Sequence, residues 1–287
     1  MGRIAYVNGR FTRHSQASVH IEDRGYQLAD AVYEVWALFD GKLADPDGHF
    51  QRLARSLTEL KIAMPMTKDA LTIVLRETVR RNHVREGLVY LQVSRGVAPR
   101  DHAFPSEPVP PAVVITVKAV DRAATEARAA KGVSIITTPE NRWGRCDIKT
   151  VGLLPNALAK QAAKEVGAAE AWFVDELGLV TEGASSNAWI VEGDGTLRTR
   201  DANANILRGV TRMTLLDLLK AEGFKVSERP FSPEEAKSAS EAFTTGAGAL
   251  VLPVTMIDGD PVGSGKVGPV ATRLRRLYIE QARRTAI

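Results

Sequence analysis

The apolar runs of this chain are short, mostly strand-length, and interrupted by charge. A helix needs roughly 20 apolar residues to cross a bilayer, so no membrane span is expected and the chain must bury its apolar surface within itself. Two periodicities show how it does so. GLVYLQVSRG (87–96) alternates with the period of a strand, and AVVITVKAV (112–120) is a strand behind the proline-rich entry PSEPVPP. In DGHFQRLARSLTEL (47–60), by contrast, Phe50, Leu53, Leu57 and Leu60 fall on one face of a helix.

The remaining elements fall into two blocks. The first holds a hairpin strand at IAYVNGRF (4–11) and a helix from Lys68 to about His83. The second opens with strand GVSIITTP (132–139) and continues into helix PNALAKQAAKEVG (155–167), closed by Gly167. Hairpins follow in AWFVDELGLVTEG (171–183) and NAWIVEGDGTLRT (187–199), with turns at Gly178 and at Gly193-Asp194-Gly195. Then come a helix from about Val210 to Glu222, a helix opened by the capping box Ser232-Pro233-Glu234-Glu235, a strand pair over 250–262, and a terminal helix. Composition shifts at DRAATEARAAKG (121–132), which places a junction near 117–125. The expectation is an α/β (α+β) protein of two domains, residues 1–120 and 121–287.

Composition narrows the function. The 287 residues are 44% hydrophobic, enough for a sizeable core. A net charge of +4, with 38 basic residues dispersed among 34 acidic ones, gives no nucleic-acid footprint. The densest basic run, RLRRLYIEQARR (273–284), reads as a solvated helix face without an aromatic platform for bases. Small anionic ligands fit the bias better. A single cysteine, Cys146, and five scattered histidines provide neither an internal disulfide nor metal-ligand spacing, so no metal is expected. MGRIAYVNGR has no apolar core or cleavage site of a secretion signal, and a cytoplasmic location is the default expectation.

GSGKVG (263–268) satisfies the G-x-G-x-x-G pattern of dinucleotide sites. Fewer than twenty residues follow it, too few for a second parallel strand and a ribose-binding acid, so it reads as a loop between hairpin and helix.

CDIKTVGLLPN (146–156) poses a different question, because it sets Lys149 in a segment with neither a helical period nor a clean strand pattern. Partial desolvation among Ile148, Val151 and Leu153 would lower an amine's pKa and favour a nucleophile. LVTEGASSN (179–187) places Glu182 where a strand meets a Gly/Ser-rich turn, NILRGVTRM (205–213) aims the amides of Val210 and Thr211 outward from a helix start, and TTGAGAL (244–250) is a second glycine-containing turn. Each feature alone reads more readily as ordinary structure. Together, a nucleophilic lysine, a carboxylate and two phosphate cradles are the parts a pyridoxal phosphate enzyme needs.

Longer stretches then carry a resemblance: EDRGYQLADAVYEV (22–35), HFQRL (49–53), VSRGVAPRDHAFP (93–105), RWGRCDIKTVGLL (142–154), LVTEGASSN, NILRGVTR and KVG (266–268). The chain resembles, essentially end to end, the D-amino-acid aminotransferases of the fold-type IV (class IV) pyridoxal-phosphate-dependent family. The Arg95–Pro105 stretch is the one that separates the D-amino-acid enzymes from branched-chain L-amino-acid aminotransferases; these, and aminodeoxychorismate lyases of the same fold, are the rival readings. A non-catalytic basic binding protein is the rival from another class.

The resemblance implies a smaller N-terminal α/β domain and a larger, pseudobarrel-like C-terminal cofactor domain. It implies pyridoxal 5′-phosphate joined to Lys149 as a Schiff base, with Glu182 under the pyridine nitrogen and Arg52 on the phosphate. Leu207 would pack on the ring, Val210 and Thr211 would meet the phosphate from a helix start, and Gly246-Ala247 would form the second phosphate loop. Tyr33, Arg100 and His102 would trap the substrate α-carboxylate, the last two from the other subunit of a homodimer. The implied reaction is ping-pong transamination of D-amino acids with 2-oxo acids. Two departures stand out. Gly246-Ala247 replaces the usual hydroxyl residues, leaving backbone amides and Thr244 or Thr245, and each charge-assisted hydrogen bond lost is worth about 1.5–3 kcal/mol. Ala31 replaces a more usual glycine near Tyr33.

Overall fold

The computed structural model describes residues 2–203 and 205–287. Its contacts divide the chain into two compact units: Met1–Asp121 with Ile148–Gly152 and Thr285–Ile287, and Arg122–Asp147 with Leu153–Arg284.

In the first unit the chain forms β1 (Ile4–Val7), β2 (Arg10–Arg13), α1 (Arg24–Leu28), β3 (Ala31–Phe39), β4 (Lys42–Leu43), α2 (Pro46–Glu59), α3 (Lys68–Asn82), β5 (Gly87–Ser94) and β6 (Ala112–Ala119). The six strands make one antiparallel sheet in the order β2-β1-β6-β5-β3-β4. The β1–β2 hairpin turns on Asn8 (φ 44°) and Gly9 (φ 90°), the pair of left-handed residues that matches the strand twist. Alternation in β3 sends Val32, Trp36 and Leu38 into the core with Leu53 and Leu57 of α2 and Leu71 and Leu75 of α3. Each such aliphatic side chain stabilises the fold by about 1.5–3 kcal/mol relative to exposure. The same alternation buries Glu34 completely, in register with these apolar neighbours.

Residues 148–152 run antiparallel beside β3. Thr150 bridges Val32, the Tyr33 N–H donates to the Lys149 carbonyl (3.0 Å), and the Val151 N–H donates to the Ala31 carbonyl (3.2 Å). Ile148 is buried in the core of this unit. Lys149 is therefore held by backbone on a sheet edge.

The second unit contains α4 (Arg122–Lys131), β7 (Val133–Pro139), α5 (Leu154–Glu165), β8 (Glu170–Val174), β9 (Val180–Gly183), β10 (Asn187–Val191), β11 (Leu197–Thr199), α6 (Val210–Ala221), β12 (Val226–Glu228), α7 (Pro233–Ser238), β13 (Glu241–Gly246), β14 (Leu250–Ile257), β15 (Asp260–Pro261) and α8 (Pro269–Thr285). The alanine-rich stretch where the composition shifts forms helix α4; alanine has the strongest helix propensity, and Ala129 is buried.

The nine-stranded sheet runs β12-β11-β10-β13-β14-β7-β8-β9, with β15 on β14. Only residues 184–186 separate β9 from β10, although the two stand far apart in that order. So short a link forces the sheet to curl back on itself as a partial barrel. Trp172, Ile190, Phe231, Leu252 and Val254 fill it, while Ala159 and Ala163 let α5 lie close against Ala171 and Phe173.

Caps set the helix ends. α7 carries the full capping box between Ser232 and Glu235, and Gly167 (φ 75°) ends α5 with its N–H on the Lys164 carbonyl (3.0 Å). The basic run of α8 differs from its expected solvated face. Arg275 is buried and donates to the carbonyls of Val251 (2.6 Å) and Ala249 (3.0 Å) and to Glu126. Among the described residues no helix is long and apolar enough to cross a membrane.

Candidate active site

In the first unit the structure brings Lys149, Tyr33 and Arg52 onto neighbouring elements. Lys149 Nζ stands 4.1 Å from the centre of the Tyr33 ring, and Lys149 N donates to Ser56 Oγ (3.3 Å), one turn after Arg52 on α2. Tyr33 in turn stacks on Tyr90, ring centres 5.6 Å apart. Burial, with a contribution from Tyr33, pushes the Tyr90 phenol up to about 12.

Arg52 does not stand alone. Its Nε and Nη2 donate to Glu34 Oε1 and Oε2 (2.8 and 2.7 Å), and Glu34 Oε2 also lies 2.6 Å from His49 Nδ1. Burial by itself would raise the Glu34 pKa, but the Arg52 guanidinium and the His49 bond outweigh it and bring Glu34 down to about 2. His49 is likewise held below its usual value, because burial penalises its charged form more than Glu34 favours it. The result is a buried carboxylate that fixes the direction of Arg52.

Arg100 and His102 stand exposed on the loop after β5. Arg24, itself buried, donates from Nη1 to the Asp101 carbonyl (2.7 Å) and from Nε to Asp30 (2.8 Å). Asp30 also holds Arg95 (2.7 and 3.0 Å), whose guanidinium lies 3.6 Å from the centre of the Phe104 ring. This cluster clamps both ends of the short segment that presents Arg100 and His102.

The second unit gathers Glu182, Leu207, Val210 and Thr211. Glu182 is buried near the end of β9, not solvated as a turn carboxylate would be. It accepts hydrogen bonds from Arg142 Nη1 (2.6 Å), Asn187 Nδ2 (2.9 Å) and the Leu207 N–H (3.1 and 3.2 Å). Asn187 joins the parts of this unit's site. Its Nδ2 also donates to the Leu207 carbonyl (3.0 Å), and its own carbonyl accepts from Thr244 Oγ1 (3.1 Å). Val210 and Thr211 open α6, and the N-cap Gly209 supplies no side-chain cap. A Cβ on Gly209 would fall 2.0 Å from Asn187 Oδ1, so only glycine admits this approach.

Gly246 ends β13 and Ala247 begins the turn to β14, so TTGAGAL is half strand and half turn. The two threonines left in this loop are engaged within the sheet: Thr244 through Asn187, and Thr245 by accepting from Trp189 Nε1 (3.0 Å). An anion there would meet backbone amides.

Sequence reasoning passed over Glu34, Asn187, Glu140 and Arg142 as site residues. A charge on the apolar face of β3 was the signal for Glu34, and the other three lie in or beside stretches that already carried the resemblance.

Comparison with known proteins places the chain in context. The profile of the amino-transferase class IV family matches residues 31–257. The D-alanine aminotransferase of Staphylococcus haemolyticus is 39% identical over 96% of this chain and 97% of its own length; that of Bacillus licheniformis is 39% identical over 97% and 98%. Among solved structures, a T.th. branched-chain amino acid aminotransferase with pyridoxamine 5′-phosphate superposes with a TM-score of 0.88 at 28% identity, covering 98% of this chain and 94% of that one. The Escherichia coli branched-chain amino acid aminotransferase shares the fold, with a TM-score of 0.88 at 24% identity over 98% and 95%.

Proposed function

The chain belongs to the class IV aminotransferase family, with its two-unit fold-type IV architecture, and on that premise we propose that it moves amino groups between D-amino acids such as D-alanine and 2-oxo acids such as 2-oxoglutarate. The reading rests most on the nearly full-length match, at 39% identity, to D-alanine aminotransferases.

The cofactor in this proposal is pyridoxal 5′-phosphate, and the donor set fits it. A buried carboxylate, Glu182, suits a protonated ring nitrogen; the start of α6, with no side-chain cap, suits a phosphate dianion, as do the amides near Gly246 and Ala247. When bound, this cofactor supplies an electron sink that makes the substrate Cα–H acidic and carries nitrogen from one half-reaction to the next. The protein's own groups do the rest. Lys149 Nζ would hold the cofactor and, once freed, would serve as the general base that takes the substrate Cα proton and gives it back. Tyr33, packed against that amine, limits its swing. Glu182 would hold the protonated ring nitrogen, Leu207 would lie against the ring, and Arg52, aimed by Glu34, would meet the phosphate with Val210, Thr211, Gly246 and Ala247.

Stereochemistry follows from the carboxylate trap. Arg100 and His102, supplied by the other subunit of a homodimer, act with Tyr33 to fix the substrate carboxylate so that only the D-enantiomer turns its proton toward Lys149. Purified protein should show a visible cofactor absorption that D-alanine bleaches and L-alanine leaves unchanged. Lys149→Ala should abolish both the absorption and turnover; a variant that still transaminates at the wild-type rate refutes the assignment. Preference for L-amino acids would favour the branched-chain reading.

A further inference from the structure

Glu182 shares its guanidinium partner with a second carboxylate. Arg142, buried to 7% side-chain exposure, donates from Nη1 to Glu182 (2.6 Å) and from Nε and Nη2 to the two oxygens of Glu140 (2.9 and 2.6 Å). Glu140 is held in turn by Thr181 Oγ1 (2.7 Å) and by the Arg142 N–H (3.0 Å). The guanidinium also lies 4.5 Å from the centre of the Phe173 ring. Burial alone would lower the Arg142 pKa, but both carboxylates hold it above its ordinary value; the Glu140 pKa falls, since bonds from Arg142 and Thr181 outweigh its own desolvation.

The charge count is informative. An isolated Arg142–Glu182 pair would be neutral, and a cation already bonded to Glu182 would repel a protonated pyridine nitrogen seeking the same carboxylate. With Glu140 engaged through two donors of the guanidinium, the triad carries two negative charges and one positive, and keeps a net −1. The low dielectric around Glu182 and the Arg142 guanidinium makes that single charge count for more than it would in water.

We propose that Glu140, acting through Arg142, is a positioning and charge-setting residue for the cofactor ring: it neutralises Arg142 so that Glu182 presents a net negative charge to the pyridine nitrogen. This rests on the pyridoxal phosphate reading of the site. Arg142 fixes where the carboxylate sits, together with Asn187 and the Leu207 amide. Glu140 decides how strongly that carboxylate attracts a cation.

The test reconstitutes apoprotein with pyridoxal 5′-phosphate and, separately, with its 1-deaza analogue, in which carbon replaces the ring nitrogen. Equilibrium affinities are measured for wild type, for the charge-neutral variants Glu140→Gln and Glu140→Asn, and for the charge-retaining Glu140→Asp. Circular dichroism and melting temperature of each apoprotein check folding. The neutral variants should weaken pyridoxal phosphate binding roughly tenfold, in the range of couplings within one charged network, and shift the analogue by no more than about twofold. Glu140→Asp should recover most of the loss. Equal weakening of both ligands, or none of either, overturns the proposal and reduces Glu140 to a structural contact. If wild type itself fails to bind pyridoxal phosphate, the cofactor reading falls first; if wild type binds and the variants do not discriminate, the charge proposal falls alone.

Discussion

Replacing Glu34 with glutamine tests the buried cluster that aims Arg52. Glu34 is fully buried, receives two Arg52 donors at 2.8 and 2.7 Å, and lies 2.6 Å from His49 Nδ1. Glutamine preserves shape but removes the charge and turns one oxygen into a donor, which then faces Arg52 or His49. Breaking one member of a buried ion pair costs about 3–5 kcal/mol. Linkage gives an independent figure: a carboxyl moved from 4.5 in the unfolded chain to about 2 contributes roughly 3 kcal/mol at neutral pH. Because the folded pKa is the lower one, that stability is complete above pH 4.5 and is lost as pH falls toward about 2. His49 adds to the same trend, since the unfolded chain protonates it below 6.5 more readily than the fold does. At pH 7 the variant should melt roughly 6–12 °C below wild type, at 2–4 °C per kcal/mol. Calorimetry at fixed protein concentration from pH 7 to pH 3 reads both effects. A depression under about 2 °C at pH 7, or a gap that fails to narrow with acid, refutes the reasoning.

Two further outcomes follow from the site. Gly209→Ala drives a methyl into Asn187 Oδ1, 2.0 Å away, and so disturbs the bonds from Asn187 to Glu182 and Leu207; apoprotein titration should show cofactor affinity reduced about tenfold, the value of one or two such bonds, with the apoprotein still folded. Arg24→Ala removes the bond to the Asp101 carbonyl and loosens the loop bearing Arg100 and His102, so steady-state kinetics should give a KM for D-alanine raised roughly 3- to 10-fold, with kcat and the cofactor absorption nearly unchanged. A fall in kcat at constant KM would show that the loop acts on chemistry and not on substrate capture.

What local sequence can express, it expressed. Alternation marked the strands over 87–94 and 112–119, the apolar face marked the helix over 46–59, and the capping box of Ser232 and Glu235 formed as written, because each depends on neighbours within a few residues. Lys149 and Glu182 were legible as candidates through the stretches around them, and class IV membership followed from the same stretches. Tertiary structure decided what those candidates touch. Glu34 meets Arg52 across 18 positions, Arg142 meets Glu182 across 40, and Asn187 reaches Thr244 across 57, and no period or spacing encodes such meetings. The same holds for Arg275, whose place on a basic helix face suggested solvent until the carbonyls of Ala249 and Val251 claimed it. Sequence alone supplied the chemical groups and their local geometry; the curl of one sheet and the strand order of the other chose which charges share a buried space, because only a folded backbone brings distant residues within hydrogen-bonding reach.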